Sequence, residues 1–169
     1  MSGPASDAGR SPDTPDDLAA FIRQHGIEAE FVQPGVLMPT VDTAAAAIGV
    51  SPQQIFKSLL FQSLAERCVL VVACGHARVD TRRVGEVTGI RGLRLARPEV
   101  VLMRTGYPAG GTPPIGHREK LPVVVDTQVA EQAWGFGGGG RPEWLLKIRS
   151  PDIIRLTGAL VADVTRNDQ

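Results

Sequence analysis

Several residue types that mark specialised proteins are scarce in this sequence. Its 169 residues include only two cysteines, too few for a disulfide framework. The separation of Cys68 from Cys74 does not match the close pairs that chelate zinc, and both lie in or beside an apolar run. Buried packing thiols are therefore expected. No apolar run reaches the length of a membrane span, which argues against a membrane protein.

The first residues of the chain carry no hydrophobic segment of the kind found in a secretory signal peptide. Residues 1–13 are rich in Ser, Pro, Gly and Asp, a composition typical of a disordered tail. We therefore predict a cytoplasmic protein with a disordered N-terminal tail over residues 1–13 and one globular domain over residues 14–166.

The formal net charge is zero, from 18 basic and 18 acidic residues, but the charges are unevenly distributed. The first 56 residues carry a net charge of −5, whereas residues 57–120 carry +6. The net charge of zero excludes a strongly basic nucleic-acid-binding protein, but the basic middle segment allows a local basic patch. Arg78, Arg82 and Arg83 belong to an arginine-rich stretch in that middle segment. Both a solvated face and a surface that contacts tRNA are open interpretations of this stretch.

Local signals predict short helices and strands in mixed order. Thr14, followed by Pro15 and two aspartates, predicts a helix start, and Gly26 predicts its end. Start and stop signals also predict helices over residues 41–48, 80–88, 98–104 and 126–133, and a closing helix from residue 150. The expected strands are 55–62, 69–73, 92–96, 121–125 and 143–148. This order predicts a single α+β domain, a curved mixed β-sheet with a barrel-like core flanked by short helices.

A segment rich in glycine and proline, residues 106–117, is the least ordinary part of the chain. Its twelve residues include four glycines and three prolines, which bring main-chain N–H groups close to a surface in a rigid loop. Such N–H groups can stabilise negative charge that develops on an ester oxygen. A complicated connection between two elements is the alternative. A second glycine run, residues 137–140, lacks the pattern of a phosphate loop and predicts a flexible turn or bulge.

Lys57 is unusual because the chain has only three lysines against fifteen arginines, and this one interrupts an apolar strand. Its side chain shares a strand face with Ile55, Leu59 and Phe61. An ammonium group beside an apolar pocket can orient a carbonyl or a phosphate, or act as a base if burial lowers its pKa. A lysine that extends along the apolar surface to water is the alternative.

Other polar residues give weaker signals. His25 and His76 are typical of structural or exposed histidines, whereas His117 closes the glycine- and proline-rich loop. Asp126 ends a predicted strand, where its carboxylate can contact a ligand amine or cap the next helix. No group of His, Cys, Asp and Glu has the spacing of a metal site, so we expect no metal and no cofactor.

Three motifs occur together in the order of a known family. Residues 40–50 begin with Thr-Val-Asp-Thr, residues 54–61 read Gln-Ile-Phe-Lys-Ser-Leu-Leu-Phe, and residues 110–117 read Gly-Gly-Thr-Pro-Pro-Ile-Gly-His. With these motifs the chain resembles the YbaK/ProX family, which also occurs as the editing insertion domain of bacterial prolyl-tRNA synthetases. The resemblance covers roughly residues 15–165, and the lysine strand followed by the Gly-Gly-x-Pro-Pro loop is its most specific part.

The resemblance implies a trans-editing aminoacyl-tRNA deacylase that hydrolyses the ester of a mischarged tRNA, without a metal. Lys57 matches the family's functional lysine, and residues 110–114 match its substrate loop. The expected catalytic groups are Lys57, Gly110 and Gly111. The expected substrate-binding residues are Thr112, Pro113, Pro114, Gly116, His117 and Asp126. Expected partners are the acceptor end of an aminoacyl-tRNA and an aminoacyl-tRNA synthetase.

The amino acid that is removed is left open. Many relatives carry a histidine shortly before the Thr-Val of the second helix, whereas this chain has residues 36–39, Val-Leu-Met-Pro, there. Substrates of the Cys- or Ala-tRNA(Pro) type are expected, although one methylene changes binding by only about 1–3 kcal/mol. A non-catalytic accessory module of the same fold is the alternative. A serine hydrolase with Ser58 beside Lys57 is disfavoured because neighbouring strand residues point to opposite faces.

Overall fold

The computed structural model describes residues 13–166. Within that range the helices are α1 (Pro15–His25), α2 (Val41–Ile48), α3 (Thr81–Thr88), α4 (Pro98–Thr105), α5 (Thr127–Glu131) and α6 (Ser150–Thr157), with a 3₁₀ turn at Pro52–Gln54. The strands are β1 (Ala29–Val32), β2 (Phe56–Gln62), β3 (Cys68–Cys74), β4 (Arg78–Val79), β5 (Arg94–Leu95), β6 (Val123–Asp126), β7 (Trp134–Gly138), β8 (Leu145–Arg149), β9 (Leu160–Ala162) and β10 (Thr165–Arg166). No helix in this range is long and apolar enough to cross a membrane.

The strands form three sheets rather than one closed barrel. The largest has the order β5-β2-β3-β6-β9, with antiparallel pairs around β2 and parallel pairs on both sides of β6. An antiparallel sheet of order β1-β8-β7 lies beside it, joined by a parallel bridge between Ile55 and Phe136. The third sheet is the short pair β10-β4. The prediction of a mixed α+β domain is confirmed, but the expected barrel-like closure is wrong because β5 and β9 are open edges of the large sheet.

Local capping explains why the first two helices begin and end as predicted. Thr14 and Thr40 each form a capping box with the residue three positions later, which satisfies N–H groups at the helix start. Gly26 and Gly49 end these helices in the left-handed conformation, at φ +61° and +70°. These signals involve only a few neighbouring residues, so the sequence alone determines them.

The core is built around β3, every residue of which is buried. The β2–β3 hairpin and its turn at residues 63–67 confirm the predicted antiparallel pair. Both cysteines are buried free thiols, and burial raises the pKa of Cys74 to about 11. The expectation of packing thiols is therefore confirmed.

The predicted tail is described only at its last residue. Residues 1–12 lie outside the described residues. Asp13 donates its backbone N–H to the Gly106 carbonyl oxygen, 2.7 Å away, and its carboxylate pairs with Arg118 at 3.6 Å. Asp13 therefore belongs to the folded domain and lies at the start of the glycine- and proline-rich loop.

Candidate functional site

A cavity of about 440 Å³ lies beside β2 and is lined by residues from all three sequence motifs. One wall is the stretch of five consecutive residues from Ile55 to Leu59. The segment 37–41 and Ala44 of α2 form a second wall, and the loop residues Ala109, Gly110 and Thr112 form a third. Gly138 and Leu145 close the remaining side. Tertiary folding thus joins elements that are far apart in the sequence.

Lys57 lines this cavity with its ammonium group held in place. Its Nζ donates a hydrogen bond to the Ala77 carbonyl oxygen at 2.7 Å. Partial burial is the main reason that the pKa of Lys57 lies below its usual value, and the nearby charge of Arg78 lowers it further. Lys57 is therefore a positioned cation at a partly desolvated site, and its functional role stays a prediction.

Two residues of the loop, Gly110 and Thr112, line the cavity. The N–H of Gly111 donates to the Pro108 carbonyl oxygen at 3.0 Å, and the Thr112 hydroxyl donates to the same oxygen at 3.0 Å. Among the described residues, no hydrogen bond engages the N–H of Gly110 or that of Thr112. Gly110 has φ +86°, which glycine adopts without strain. The structure brings Gly110 and Thr112 to the cavity, whereas Gly111 uses its N–H within the turn.

The loop packs directly on β7, which the sequence reasoning missed. Gly137 and Gly138 are strand residues, so the prediction of a flexible turn or bulge for residues 137–140 is wrong at these two positions. A Cβ atom on Gly137 would lie 2.9 Å from Cδ of Pro114, and one on Gly138 would collide with the Thr112 carbonyl. These two residues are glycine because the substrate loop lies against the strand without room for a side chain. The available signal was a glycine run next to a strand pattern.

The remaining predicted binding residues do not line the cavity. Pro113 and Pro114 are buried, and Gly116 packs against Leu18 and Phe21 of α1. The His117 ring bonds through Nε2 with the Pro113 carbonyl oxygen at 2.7 Å, and burial lowers the pKa of this histidine to about 4. His117 therefore supports the loop through Pro113 and does not line the cavity beside Lys57.

Asp126 also lies away from the cavity. Its carboxylate is fully buried and accepts hydrogen bonds from Gln128 N–H at 3.1 Å and from Val164 N–H at 2.9 Å. It therefore caps α5, which was one of the two predicted roles, and ties β6 to the segment before β10.

The three arginines predicted to contact tRNA differ in their contacts. Arg83 pairs with Asp163 at 3.3 Å and Asp80 at 3.7 Å, and donates to the Thr165 carbonyl oxygen at 3.0 Å. Arg82 is exposed and forms no ion pair with any described residue. Arg78 is exposed and follows Ala77, the residue that holds Lys57. Arg83 thus braces the fold, while Arg78 and Arg82 face solvent.

Comparison with known proteins decides the family. The sequence profile of the aminoacyl-tRNA editing domain matches residues 37–156, which include Lys57 and the whole loop. The chain belongs to the aminoacyl-tRNA editing domain family. The predicted resemblance is therefore confirmed.

Curated relatives of this editing domain align with part of its sequence. It is 36% identical over 90 residues to the uncharacterized protein YwhH of Bacillus subtilis, an alignment that spans 53% of this chain and 57% of YwhH. It is 20% identical over 129 residues to a protein of Enterococcus faecalis named as a candidate Cys-tRNA(Pro)/Cys-tRNA(Cys) deacylase, EbsC, covering 76% and 79% of the two chains. A proline–tRNA ligase of Desulfitobacterium hafniense is 34% identical over 91 residues, which are 53% of this chain and 16% of the ligase.

Solved structures match the fold of the editing domain over nearly its full length. The hypothetical protein APE2540 superposes with a TM-score of 0.82 at 33% identity, covering 89% of this chain and 99% of that one. A candidate trans-editing enzyme for prolyl tRNA synthetase superposes with a TM-score of 0.82 at 30% identity, covering 90% and 97%. The overall architecture is thus the one that trans-editing candidates adopt.

A second and larger cavity, of about 750 Å³, lies on the outer face of the β1-β8-β7 sheet. Trp134 and Lys147 line it, with the Lys147 Nζ 4.5 Å from the centre of the Trp134 ring. None of the predicted catalytic or substrate-binding residues lines this cavity. The chemistry suggested by the family motifs therefore belongs to the smaller cavity beside β2.

Proposed function

We propose that this protein is a trans-editing deacylase that hydrolyses the ester bond between a mischarged amino acid and the terminal ribose of its tRNA. The observation that carries the proposal is the cavity that Lys57, Gly110 and Thr112 line together. A cation and main-chain donors around one apolar cavity fit an ester carbonyl better than they fit a phosphate, which requires more positive charge. Membership of the editing family supports the same chemistry.

In the proposed reaction, a water molecule attacks the ester carbonyl carbon and the bond to the ribose oxygen breaks. The N–H groups of Gly110 and Thr112 stabilise the negative charge that develops on the carbonyl oxygen. Lys57 anchors the ester carbonyl or the terminal nucleotide, and a hydroxyl of the tRNA ribose directs the water. The products are a free amino acid and a tRNA with a free terminal hydroxyl. An aminoacyl ester is already activated, so positioning and electrostatic stabilisation account for the catalysis.

The cavity favours small side chains of the Cys- or Ala-tRNA(Pro) type. Met38, Val41, Ala44, Ile55 and Leu145 give it apolar walls without a charged side chain for the amino acid. The cavity of about 440 Å³ must also hold part of the terminal ribose, which reduces the space for the amino acid. The relative EbsC, named for cysteinyl-tRNA substrates, is consistent with this size.

Two further parts of the proposal concern the surroundings of the enzyme. The acceptor end of tRNA contacts the exposed arginines Arg78 and Arg82, of which Arg78 lies close to Lys57. Cytoplasmic location and contact with an aminoacyl-tRNA synthetase stay predictions from the sequence.

The deciding experiment incubates the protein with a panel of tRNAs mischarged with Cys, Ala, Ser or Thr and follows loss of the ester. We expect turnover of at least one small aminoacyl-tRNA(Pro) well above the spontaneous rate, with correctly charged Pro-tRNA(Pro) spared. Turnover of none, together with retained binding of tRNA, would instead support the non-catalytic accessory module.

A further inference from the structure

One residue of β2, Ser58, presents an unpaired strand edge to the cavity. Hydrogen bonds along β2 alternate between its two sides, as in any antiparallel pair. The Ile55 carbonyl oxygen accepts from Gly75 N–H at 3.1 Å, and Ser63 N–H donates to the Arg67 carbonyl oxygen at 2.9 Å. The main-chain N–H and C=O groups of the odd-numbered residues of β2 therefore point towards β3. Those of the even-numbered residues point to the opposite side of the strand.

The opposite side of β2 is occupied at both ends but not at Ser58. Leu60 accepts a hydrogen bond from Ala96 N–H at 2.8 Å, and β5 pairs only with Phe61 and Gln62. At the other end β7 reaches β2 through the bridge between Ile55 and Phe136. Between these contacts the cavity lies against β2, and within residues 13–166 no strand pairs with Ser58 on that side. An unpaired strand edge inside a cavity needs a ligand or water as its partner.

An aminoacyl group has the donor and acceptor that this edge lacks. Its α-amino group and its carbonyl oxygen flank one Cα atom, as the N–H and C=O groups do in a single residue of a strand. A group placed opposite Ser58 can therefore complete one antiparallel pair, in the way that peptides extend an exposed sheet edge. A plain acyl ester offers only the carbonyl half of this pair.

We propose that the main chain of Ser58 binds the aminoacyl group of the substrate. The Ser58 carbonyl oxygen accepts a hydrogen bond from the α-amino group, and the Ser58 N–H donates one to the ester carbonyl oxygen. This pairing holds the carbonyl beside the donors of Gly110 and Thr112 and makes a free α-amino group a requirement for cleavage. The inference rests on the proposed deacylase function and names the part of the substrate that the site recognises.

The Ser58 side chain is not part of the proposal and supplies a matched control. Its hydroxyl oxygen is buried and has no hydrogen-bond partner among the described residues. Ser58→Ala therefore removes the hydroxyl while retaining the N–H group. Ser58→Pro removes the N–H group without breaking a bond to β3, and proline is tolerated where the N–H of an edge residue faces away from the ladder.

Amide hydrogen exchange tests the inference without a mutation. In the free protein we expect the Ser58 amide to exchange at least about tenfold faster than those of Lys57 and Leu59, which face β3. The probe is 3′-alanylamino-3′-deoxyadenosine, whose amide linkage resists hydrolysis, and its propionyl counterpart lacks the amino group. We expect the alanyl probe to slow exchange at Ser58 and to bind at least tenfold more tightly than the propionyl probe. A bound alanyl probe that leaves Ser58 exchange unchanged would overturn the inference.

Deacylation of the best mischarged tRNA provides the second arm. We expect Ser58→Pro to lose at least tenfold in kcat/KM, as a lost oxyanion donor does, and Ser58→Ala, which keeps the N–H group, to lose clearly less than Ser58→Pro. Equal rates for the two variants would refute the role of the Ser58 N–H while leaving the deacylase function intact. A wild-type protein that cleaves no substrate would refute the proposed function instead. Circular dichroism checks that both variants fold. If Ser58→Pro is unfolded, the hydrogen-exchange experiment decides, and if the probes do not bind, the deacylation rates decide.

Discussion

The Lys57 ammonium group donates a hydrogen bond to the carbonyl oxygen of Ala77, 2.7 Å away, across the end of the β2–β3 hairpin. This contact fixes a cation in a partly desolvated position at the cavity wall. A freely moving lysine would lose entropy on binding substrate, whereas a held one is already positioned.

Replacing Lys57 by methionine is expected to separate its chemical role from its packing. Lys57→Met keeps the length of the side chain and removes the charge, so kcat/KM should fall about 10- to 100-fold, the loss of one charged hydrogen bond of ~1.5–3 kcal/mol. Thermal unfolding should change little, because loss of the hydrogen bond to the buried Ala77 carbonyl offsets the gain from removing a partly buried charge. Wild-type deacylation by Lys57→Met would contradict the assignment.

Gly137→Ala is expected to displace the substrate loop. Its Cβ would lie 2.9 Å from Cδ of Pro114, so the loop must move away from β7. We expect a loss of about 1–3 kcal/mol in the free energy of unfolding, measured in urea, and a lower kcat. Gly49→Ala is a useful comparison, because it strains a helix end far from the loop with no close contact. It should destabilise the protein without lowering kcat.

Asp126→Asn is expected to affect stability but not catalysis. The two carboxylate oxygens accept from two different N–H groups, and an asparagine amide can replace only one of them. One buried N–H is left without a partner, at a cost of about 1–3 kcal/mol in urea unfolding. The rate per folded molecule should stay within twofold of wild type. A selective loss of kcat/KM at unchanged stability would instead support contact with the ligand amine.

His117 is expected to make the protein sensitive to mild acid. Its pKa is lowered by burial to about 4, below the ordinary value of 6.5, so the unfolded chain binds more protons between these values. Stability should therefore fall as the pH decreases from 6.5 towards 4. His117→Gln should flatten this dependence in thermal melts recorded across that range. Parallel pH profiles for the two proteins would show that other groups dominate.

Arg82 and Arg83 are expected to respond differently to the same substitution. Arg82→Gln should weaken tRNA binding and reduce the slope of log affinity against log salt by about 1, because one phosphate contact is lost. Arg83→Gln should mainly lower the melting temperature, since it breaks contacts to Asp163 and Thr165. An affinity that does not depend on salt would mean that the arginine-rich stretch is a solvated face.

The short strands show the limit of sequence reasoning about the fold. Thr14 and Gly26 identified the first helix through neighbouring residues, and the apolar runs identified β2 and β3. The strands β4, β9 and β10 have only two or three residues each, and no hydrophobic period can be detected over such a length. They form because distant segments offer paired N–H and C=O groups, which is a property of the folded chain.

The sequence singled out candidate site residues but could not show which of them line one cavity. Lys57 and Gly110 stood out because a charged residue in an apolar strand and a loop rich in glycine and proline are rare in any context. Gly111 and His117 belong to the same motif, yet the N–H of Gly111 is hydrogen-bonded within a turn and His117 does not line the cavity. Sequence spacing cannot show which motif residues line the cavity, because the direction of each side chain and N–H group depends on the path of the backbone.

The sequence by itself determined the family, the major helices and the central hairpin, since these depend on local caps, strand-length apolar runs and the order of short motifs. Only the tertiary structure decided which motif residues share a cavity, why β7 contains glycines and which side of Ser58 has no partner. The physical reason is that local signals act over a few residues, whereas an unpaired N–H group or a close backbone contact exists only between segments that folding brings together.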